Sequence, residues 1–480
     1  MEVLRTRPSE ASSERGPRAR IEWALQSLGY ARWDPILGFP VADSRRIIAD
    51  SGKMTRTSEG YPQVLDRSLR NSLPALLILL SNVARAGSQW VLVWFYALLG
   101  GSLAVGEYTL ALAVATPIFI ASEMSLRNVY VTLQRQIAFT SYVLVRGAST
   151  AAALAGAIAL SGLNIVSAGV LLLLALIKAT DSVSDLAYAA LQKEGRLASI
   201  ALSSIANSIF TVLIGVGAYW ATRSIELSLL GSLAASVAIA GAVFIPVLRR
   251  RPGPHPLEGN AAGALRGILR AGVPSGLAFA SVSLLTYVPF YFLGVTAGKE
   301  QVGFFAVLAY FVVFANLFYA SVQQSTLHSF VSSFLSGGRP GLLRYTLRVG
   351  WPLAWCGLIS GTAVLFAGAP LILFVYGDEF SLSVGEIWPI AVSLAVLPLT
   401  FVSGAVLLTK NLYYIQLTIG LVSLLGTVAI GFYLLDHFDL TAAGILVLVG
   451  TSFRGLLGAG AAAFVLSSRG SGRRPMVNVK

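Results

Sequence analysis

Pro74–Gly100, PALLILLSNVARAGSQWVLVWFYALLG, is long and apolar enough to span a bilayer, yet it carries Arg85 near its middle. At 1.5 Å per helical residue, Arg85 sits roughly 16 Å from Pro74, about half of a ~30 Å hydrocarbon core. A guanidinium at that depth costs on the order of 3 kcal/mol on insertion scales. Asn82, Arg85 and Gln89 follow one another at i, i+3 and i+7, with Ser81 and Ser88 beside them. That spacing puts them on one helical face. The face is expected to line a polar interior rather than to meet lipid.

Composition extends this reading to the whole chain. The 480 residues are 55% hydrophobic and only 12% charged, where soluble domains average about 25% charged. The chain reads as an all-α, polytopic membrane protein. The net charge of +13 is therefore topological before it is a sign of nucleic acid, and no nucleic-acid partner is expected. One cysteine, Cys356, excludes a disulfide framework or thiolate metal site, and the three histidines have no metal-ligand spacing. No metal or cofactor is expected.

Twelve spans of the expected length can be marked, at about 73–98, 108–127, 142–162, 165–180, 198–221, 226–248, 268–294, 302–322, 346–367, 386–409, 413–435 and 440–466. The fourth is expected to continue as a cytoplasmic helical extension through Asp181, Asp185 and Tyr188 to Gln192. One set of short loops holds most of the lysine and arginine, including Arg127, Arg135, Lys193, Arg196, Arg249, Arg250, Arg251, Arg339, Arg344 and Lys410. The other set holds only Arg223 and Lys299. The positive-inside rule makes the first set cytoplasmic, with both termini on that side. Residues 1–72, with 12 Lys/Arg and 9 Asp/Glu, lack the early apolar run of a secretory signal and read as a mobile cytoplasmic tail. A short surface helix around Ile21–Leu28 and a true start at Met54 are the alternatives for this segment. Residues 467–480 form a second basic tail.

The chain also repeats itself. Leu69-Arg-Asn-Ser-Leu-Pro74 enters the first span and Leu269-Arg-Ala-Gly-Val-Pro274 enters the seventh. Val105-Gly-Glu-Tyr108 and Val302-Gly-Phe-Phe305 then open the second and eighth. Six spans per half is even, so the halves enter from the same side. This predicts a parallel repeat of two six-helix lobes, residues 73–248 and 268–466, joined by a cytoplasmic linker at 249–267.

Arg85 is the first candidate site residue, with Asn82 and Gln89 as its neighbours. Arg454, well inside the last span, is the second; snorkelling to the surface is its bland alternative. Arg146, near the end of the third span, reads as a snorkelling residue. Glu123 and Arg127, four apart, are either ordinary i, i+4 helix support or part of a gate. Asp181 and Asp185, also four apart, read as a solvated face or as a gate contact with arginines of the other half. These four are the candidate gate or coupling residues. Enzyme signatures are absent: Gly294–Glu300 is one residue short of a P-loop and has Glu where Ser or Thr must hold magnesium.

Several strings resemble the polysaccharide-translocase branch of the multidrug/oligosaccharidyl-lipid/polysaccharide (MOP) superfamily. They are Gly106-Glu-Tyr-Thr-Leu-Ala-Leu-Ala-Val-Ala-Thr-Pro117, Leu126-Arg127, Asp185-Leu-Ala-Tyr188 with Leu191-Gln-Lys193, Tyr287-Val-Pro-Phe-Tyr-Phe-Leu293 and Val375-Tyr-Gly-Asp-Glu-Phe380. The likeness runs from about residue 68 to the last span. It implies two lobes around a central cavity, alternating access, and movement of a polyprenyl-diphosphate-linked oligosaccharide from the inner to the outer leaflet. It implies a non-enzymatic flippase of the bacterial inner membrane serving lipopolysaccharide or exopolysaccharide biosynthesis. Membrane lipid and glycan-assembly proteins are the candidate partners, and a monomer is expected. Cationic cavity residues are common in that family, and Arg85 fits by position. A multidrug or cation exporter of the same superfamily is the alternative, and a membrane glycan polymerase or glycosyltransferase ranks behind it.

Overall fold

The computed structural model describes residues 61–132, 137–162, 166–250, 261–410 and 412–467. The tail up to residue 60, Arg135, the linker residues 251–260 and the basic tail beyond Ser467 lie outside the described residues. The described chain is helical throughout. Its helices are α1 (Tyr61–Glu123), α2 (Leu126–Thr132), α3 (Phe139–Ser161), α4 (Ala168–Lys193), α5 (Leu197–Thr222), α6 (Ile225–Arg249), α7 (Ala261–Thr296), α8 (Gly298–Tyr376), α9 (Val384–Thr409), α10 (Tyr413–Tyr433) and α11 (Leu440–Ser467).

Nine helices among the described residues are long and apolar enough to cross a membrane. Two of them are double. α1 turns at Gly101 (φ 69°) and α8 at Gly338 (φ 56°), so each holds two spans. α4 is also long enough, at 26 residues, but carries Lys178, Asp181 and Asp185. With both arms of α1 and α8 and with α4, the expected twelve spans are present. The arms of α8 extend well beyond the apolar runs at 302–322 and 346–367. Hydroxyls there fold back on their own helix, as Thr326 and Ser336 do on the Val322 and Ser332 carbonyls. Hydropathy sees the lipid-facing core of such a helix and misses its polar continuation.

Helices α1–α6 make one lobe and α7–α11 the other. On the side away from the basic loops, hereafter the far side, one apolar core serves both. Tyr96, Tyr108, Val170 and Tyr219 of the first lobe join Phe290, Phe305, Tyr376 and Ile387 of the second. On the basic side the cores are separate. Leu126, Tyr142, Leu186 and Ile200 form one, together with Ile268 at the start of α7. Phe330, Leu342, Val406 and Ala462 form the other. The lobes are thus fused on the far side and part on the basic side, except along the seam where α7 leans on α2.

The repeat strings explain the far-side fusion. A Cβ on Gly106 would sit 1.8 Å from the Lys299 carbonyl oxygen, and one on Gly303 would sit 1.9 Å from that of Ser102. The two glycines occupy matching positions of the repeat, and each lets its helix end touch backbone of the opposite lobe. Small residues at such crossings are how membrane helices approach closely.

Candidate functional site

The face of α1 that carries Asn82, Arg85 and Gln89 continues through Val93 and Tyr96, which are buried in the first lobe. Asn82 and Gln89 are half-buried and Arg85 is exposed. The polar face therefore turns toward its own lobe, and Arg85 lies in the electrostatic field of Asp181 and Tyr188 on α4. Trp90 and Trp94, on a different face, reach the other lobe instead. Their indole N–H groups donate to the Tyr376 hydroxyl (2.8 Å) and the Val375 carbonyl (2.7 Å). Among the described residues, the Arg85 guanidinium has no ion pair or hydrogen bond.

Next to Arg85 is a dense charge network. Asp185 accepts from Arg146 (3.1 Å) and Arg127 (3.4 Å). Arg146 also donates to Ser182 (3.1 Å), and the Arg127 Nε to Gln192 (3.0 Å). Arg146 is only 2% exposed. It does not snorkel, as its closeness to a helix end suggested; it is locked inside the lobe by a carboxylate on the next helix. Asp185 is likewise no solvated face. It faces two arginines of its own lobe, so its gate contact with the other half is not formed here. The extension of α4 is buried too, with Leu186, Ala187 and Ala190 in the core of the basic side.

Glu123 and Arg127 do not form the expected helical i, i+4 pair. Met124 (φ 46°) and Ser125 (φ 47°) are both left-handed and end α1 between them. Two such residues in a row cost on the order of 1–3 kcal/mol each. α7 covers the break: Cβ atoms on Gly272 and Gly276 would lie 2.8 Å from the Met124 carbonyl oxygen and Cα. The break turns Arg127 toward α4 and leaves Glu123 among Asp185, Arg146 and Lys178. Neither residue is a usual breaker, so sequence gave no sign of it.

Arg454 lies in the middle of α11. It is 14 residues from Leu440 and 13 from Ser467, about 20 Å from either end. A side chain cannot snorkel that far. One side of the helix around it is packed, where Gly450 meets Leu285 of α7 and Thr427 of α10 and Phe453 covers Gly426, while Leu456 and Leu457 are exposed. Arg454 is half-buried and has no ion pair or hydrogen bond among the described residues. The structure thus gathers Arg85, Glu123, Arg127, Asp181 and Asp185 in the first lobe and leaves Arg454 in the second.

Sequence reasoning missed two features. One is a set of polar contacts between lobes on the far side. Glu379 accepts from the Ser102 backbone N–H (2.7 Å), and Lys299 pairs with Glu107 (3.3 Å). Glu379 and Lys299 read as loop charges in the sequence, and only Gly106 and Gly303 hinted at the contact. The other is a cavity of about 530 Å³ at the far end of the first lobe, lined by Glu107, Arg223 and Glu226 among others. Among the described residues no group of His, Cys, Asp and Glu could hold a metal ion.

No family model matches the chain. By sequence it is similar to the capsular polysaccharide biosynthesis protein CapF of Staphylococcus aureus, 21% identical over 77% of this chain and 93% of that one. By structure it is similar to an inward-facing multidrug resistance MATE family transporter of the MOP superfamily (TM-score 0.60, 13% identical, 81% of this chain and 94% of that one). It is also similar to the Vibrio cholerae MATE transporter VcmN (TM-score 0.59, 15%, 83% and 97%). A third likeness is to a MOP superfamily transporter from Pyrococcus furiosus, described as having a binding pocket of reverse polarity (TM-score 0.53, 12%, 82% and 94%). The chain is a multi-pass membrane protein with the fold of MOP superfamily transporters.

Proposed function

We propose that the chain is a flippase that moves a polyprenyl-diphosphate-linked oligosaccharide across the bacterial inner membrane by alternating access. One observation carries this reading: Arg85 and Arg454, one in each lobe and both inside the membrane, have no carboxylate within ion-pair distance among the described residues. A guanidinium at membrane depth without a counter-ion is unfavourable, and an anionic ligand relieves that cost. A guanidinium also binds two phosphate oxygens at once, which suits a diphosphate. Asn82 and Gln89 flank Arg85 as hydroxyl or phosphate partners. The basic loops lie in the cytoplasm in this reading, so the open side receives the substrate from the inner leaflet. The relative named for capsular polysaccharide biosynthesis supports the same substrate class.

The test is export of a surface glycan by cells whose only copy carries Arg85→Ala. Export falls at least tenfold, lipid-linked repeat units accumulate, and the protein remains in the membrane at normal levels. Arg85→Lys restores part of the export, because the charge survives and the two-point contact does not. Full export by Arg85→Ala overturns the assignment.

A second reading, a cation exporter, has its own support. Glu123 and Asp181 lie in the same lobe without an ion-pair contact among the described residues, and carboxylates of this kind suit a cationic substrate. Efflux of amphipathic cations that is lost in Asp181→Asn and kept in Arg85→Ala selects that reading.

A further inference from the structure

The cavity at the far end of the first lobe is separate from Arg85 and from the charge network. It lies where the Gly101 turn, the start of α4, the end of α5 and the start of α6 meet. It is a wide-mouthed depression of about 530 Å³, open enough to take part of a larger molecule rather than to enclose a small one. Apolar walls come from Leu103, Val170 and Ile225, and polar groups from Glu107, Arg223 and Glu226.

The polar groups are arranged with free valences. One Glu226 oxygen accepts from Ser167 (3.2 Å) and one Glu107 oxygen from Lys299 (3.3 Å). The second oxygen of each has no partner among the described residues. Arg223 is held at φ 57° and spends Nη1 on the Leu99 carbonyl (2.9 Å), which leaves Nε and Nη2 as donors. Gly169 makes the room: a Cβ there would lie 2.4 Å from the bound Glu226 oxygen.

The site is not simply acidic. α4 starts here after Ser167 and α6 after Ser224, whose hydroxyl accepts from the Leu227 N–H, while the N-terminus of the second arm of α1 at Ser102 is already taken by Glu379. Two helix N-termini and Arg223 oppose the two carboxylates. A bare cation is poorly served by that balance. A ligand that both donates and accepts hydrogen bonds, and that has an apolar face for the leucine and valine walls, fits it.

We propose that this pocket binds a neutral, hydroxyl-rich saccharide on the far side of the membrane. The inference deepens the flippase reading and rests on it for the source of the saccharide: the pocket is an exit-side subsite for the glycan while its lipid tail stays in the bilayer. Glu107 also links the pocket to the other lobe, because the oxygen that does not face a ligand holds Lys299.

The experiment is saturation-transfer NMR on the full chain in lipid nanodiscs, with a panel of free neutral disaccharides as probes. At least one disaccharide receives saturation. Leu103→Trp, which fills the pocket, and Glu226→Gln each reduce the transfer at least fivefold at unchanged thermal stability. If both variants unfold, the conservative Arg223→Lys replaces them and weakens transfer at least threefold. Absence of transfer from every disaccharide, or transfer indifferent to the pocket variants, overturns the proposal. Transfer only to glycerophosphoethanolamine, added as a separate probe, assigns the pocket to a lipid headgroup and also overturns it. Glycan export by the Leu103→Trp and Arg85→Ala variants separates the two ideas. Loss of export in Arg85→Ala with no saccharide at the pocket sinks the subsite alone, and saccharide binding with normal export in Arg85→Ala sinks the flippase assignment alone.

Discussion

The two lobes follow one plan and use it differently. In the first, Arg85, Glu123, Arg127, Arg146, Lys178, Asp181 and Asp185 crowd the half nearer the basic side. In the second, the spans carry Arg454 as their only central charge. There two half-buried amides are spent on backbone: Gln323 donates to the Phe401 carbonyl (2.8 Å) and Gln416 to that of Gly404 (3.1 Å). A parallel repeat fixes where helices enter and cross, as Gly106 and Gly303 show. It does not fix what the interior holds. The first lobe gathers charges of both signs and pairs some of them through Asp185, and the second tolerates one unpaired cation in a neutral bundle.

Breaking the first lobe's network gives the largest expected effect. Asp185→Ala removes the carboxylate shared by Arg127 and Arg146 and leaves Arg146 buried without a counter-ion. Loss of one partner of a buried pair costs about 3–5 kcal/mol. Purified Asp185→Ala protein is expected to unfold at markedly lower temperature, or to fail to accumulate in the membrane. Asp185→Asn, which keeps the shape, shows most of the same loss. A stability equal to wild type means that the network is ornamental to the fold.

The matching change in the second lobe has the opposite sign. Arg454→Leu replaces an unpaired guanidinium among apolar helices with a side chain the bundle can pack. Relief of its desolvation is worth roughly 1–3 kcal/mol, so thermal stability rises. Glycan export by the same variant falls at least tenfold, because the anion contact is gone. A drop in stability instead shows that Arg454 has a structural partner, and the contrast between the lobes fails.

The spans, their sidedness and the repeat were legible because hydropathy, basic loops and the Val-Gly pairs are local signals. The charge network was not. Arg146 looks like a snorkelling residue from its distance to a helix end, and only the packing of α3 on α4 shows that Asp185 meets it. The break at Met124–Ser125 has no local signal at all, since it is imposed by α7 pressing on that turn with two glycines. Arg85 was found because its cost is local; that it shares the field of Asp181 and Tyr188 was not legible, because only the packing of α1 against α4 brings them together.

The contacts between the lobes are the next test, and a smaller one. Glu379→Ala removes the carboxylate that caps the second arm of α1 at Ser102. Loss of a helix cap is worth about 1 kcal/mol, here felt as a shift toward the open far side rather than as unfolding. In a Cys356→Ser background, Ser102→Cys is expected to react several-fold faster with a membrane-impermeant maleimide once Glu379 is changed.

Lys299→Ala should do least. Its partner Glu107 is 3.3 Å away, and the two side chains are 33% and 21% exposed. Such pairs contribute about 0–1 kcal/mol and are screened by salt. Because this pair crosses between lobes, its energy enters the balance of two conformations directly. About 0.5 kcal/mol changes that ratio roughly twofold, which a spin-label distance between the far ends of the lobes can resolve. The change is expected at low salt and should vanish in molar salt. Glu107→Gln alone should match it, and Lys299→Ala added to Glu107→Gln should change nothing more. No effect even at low salt would mean that the far side is held by the glycine crossing and the shared core alone, with Glu107 free to serve the pocket beside it.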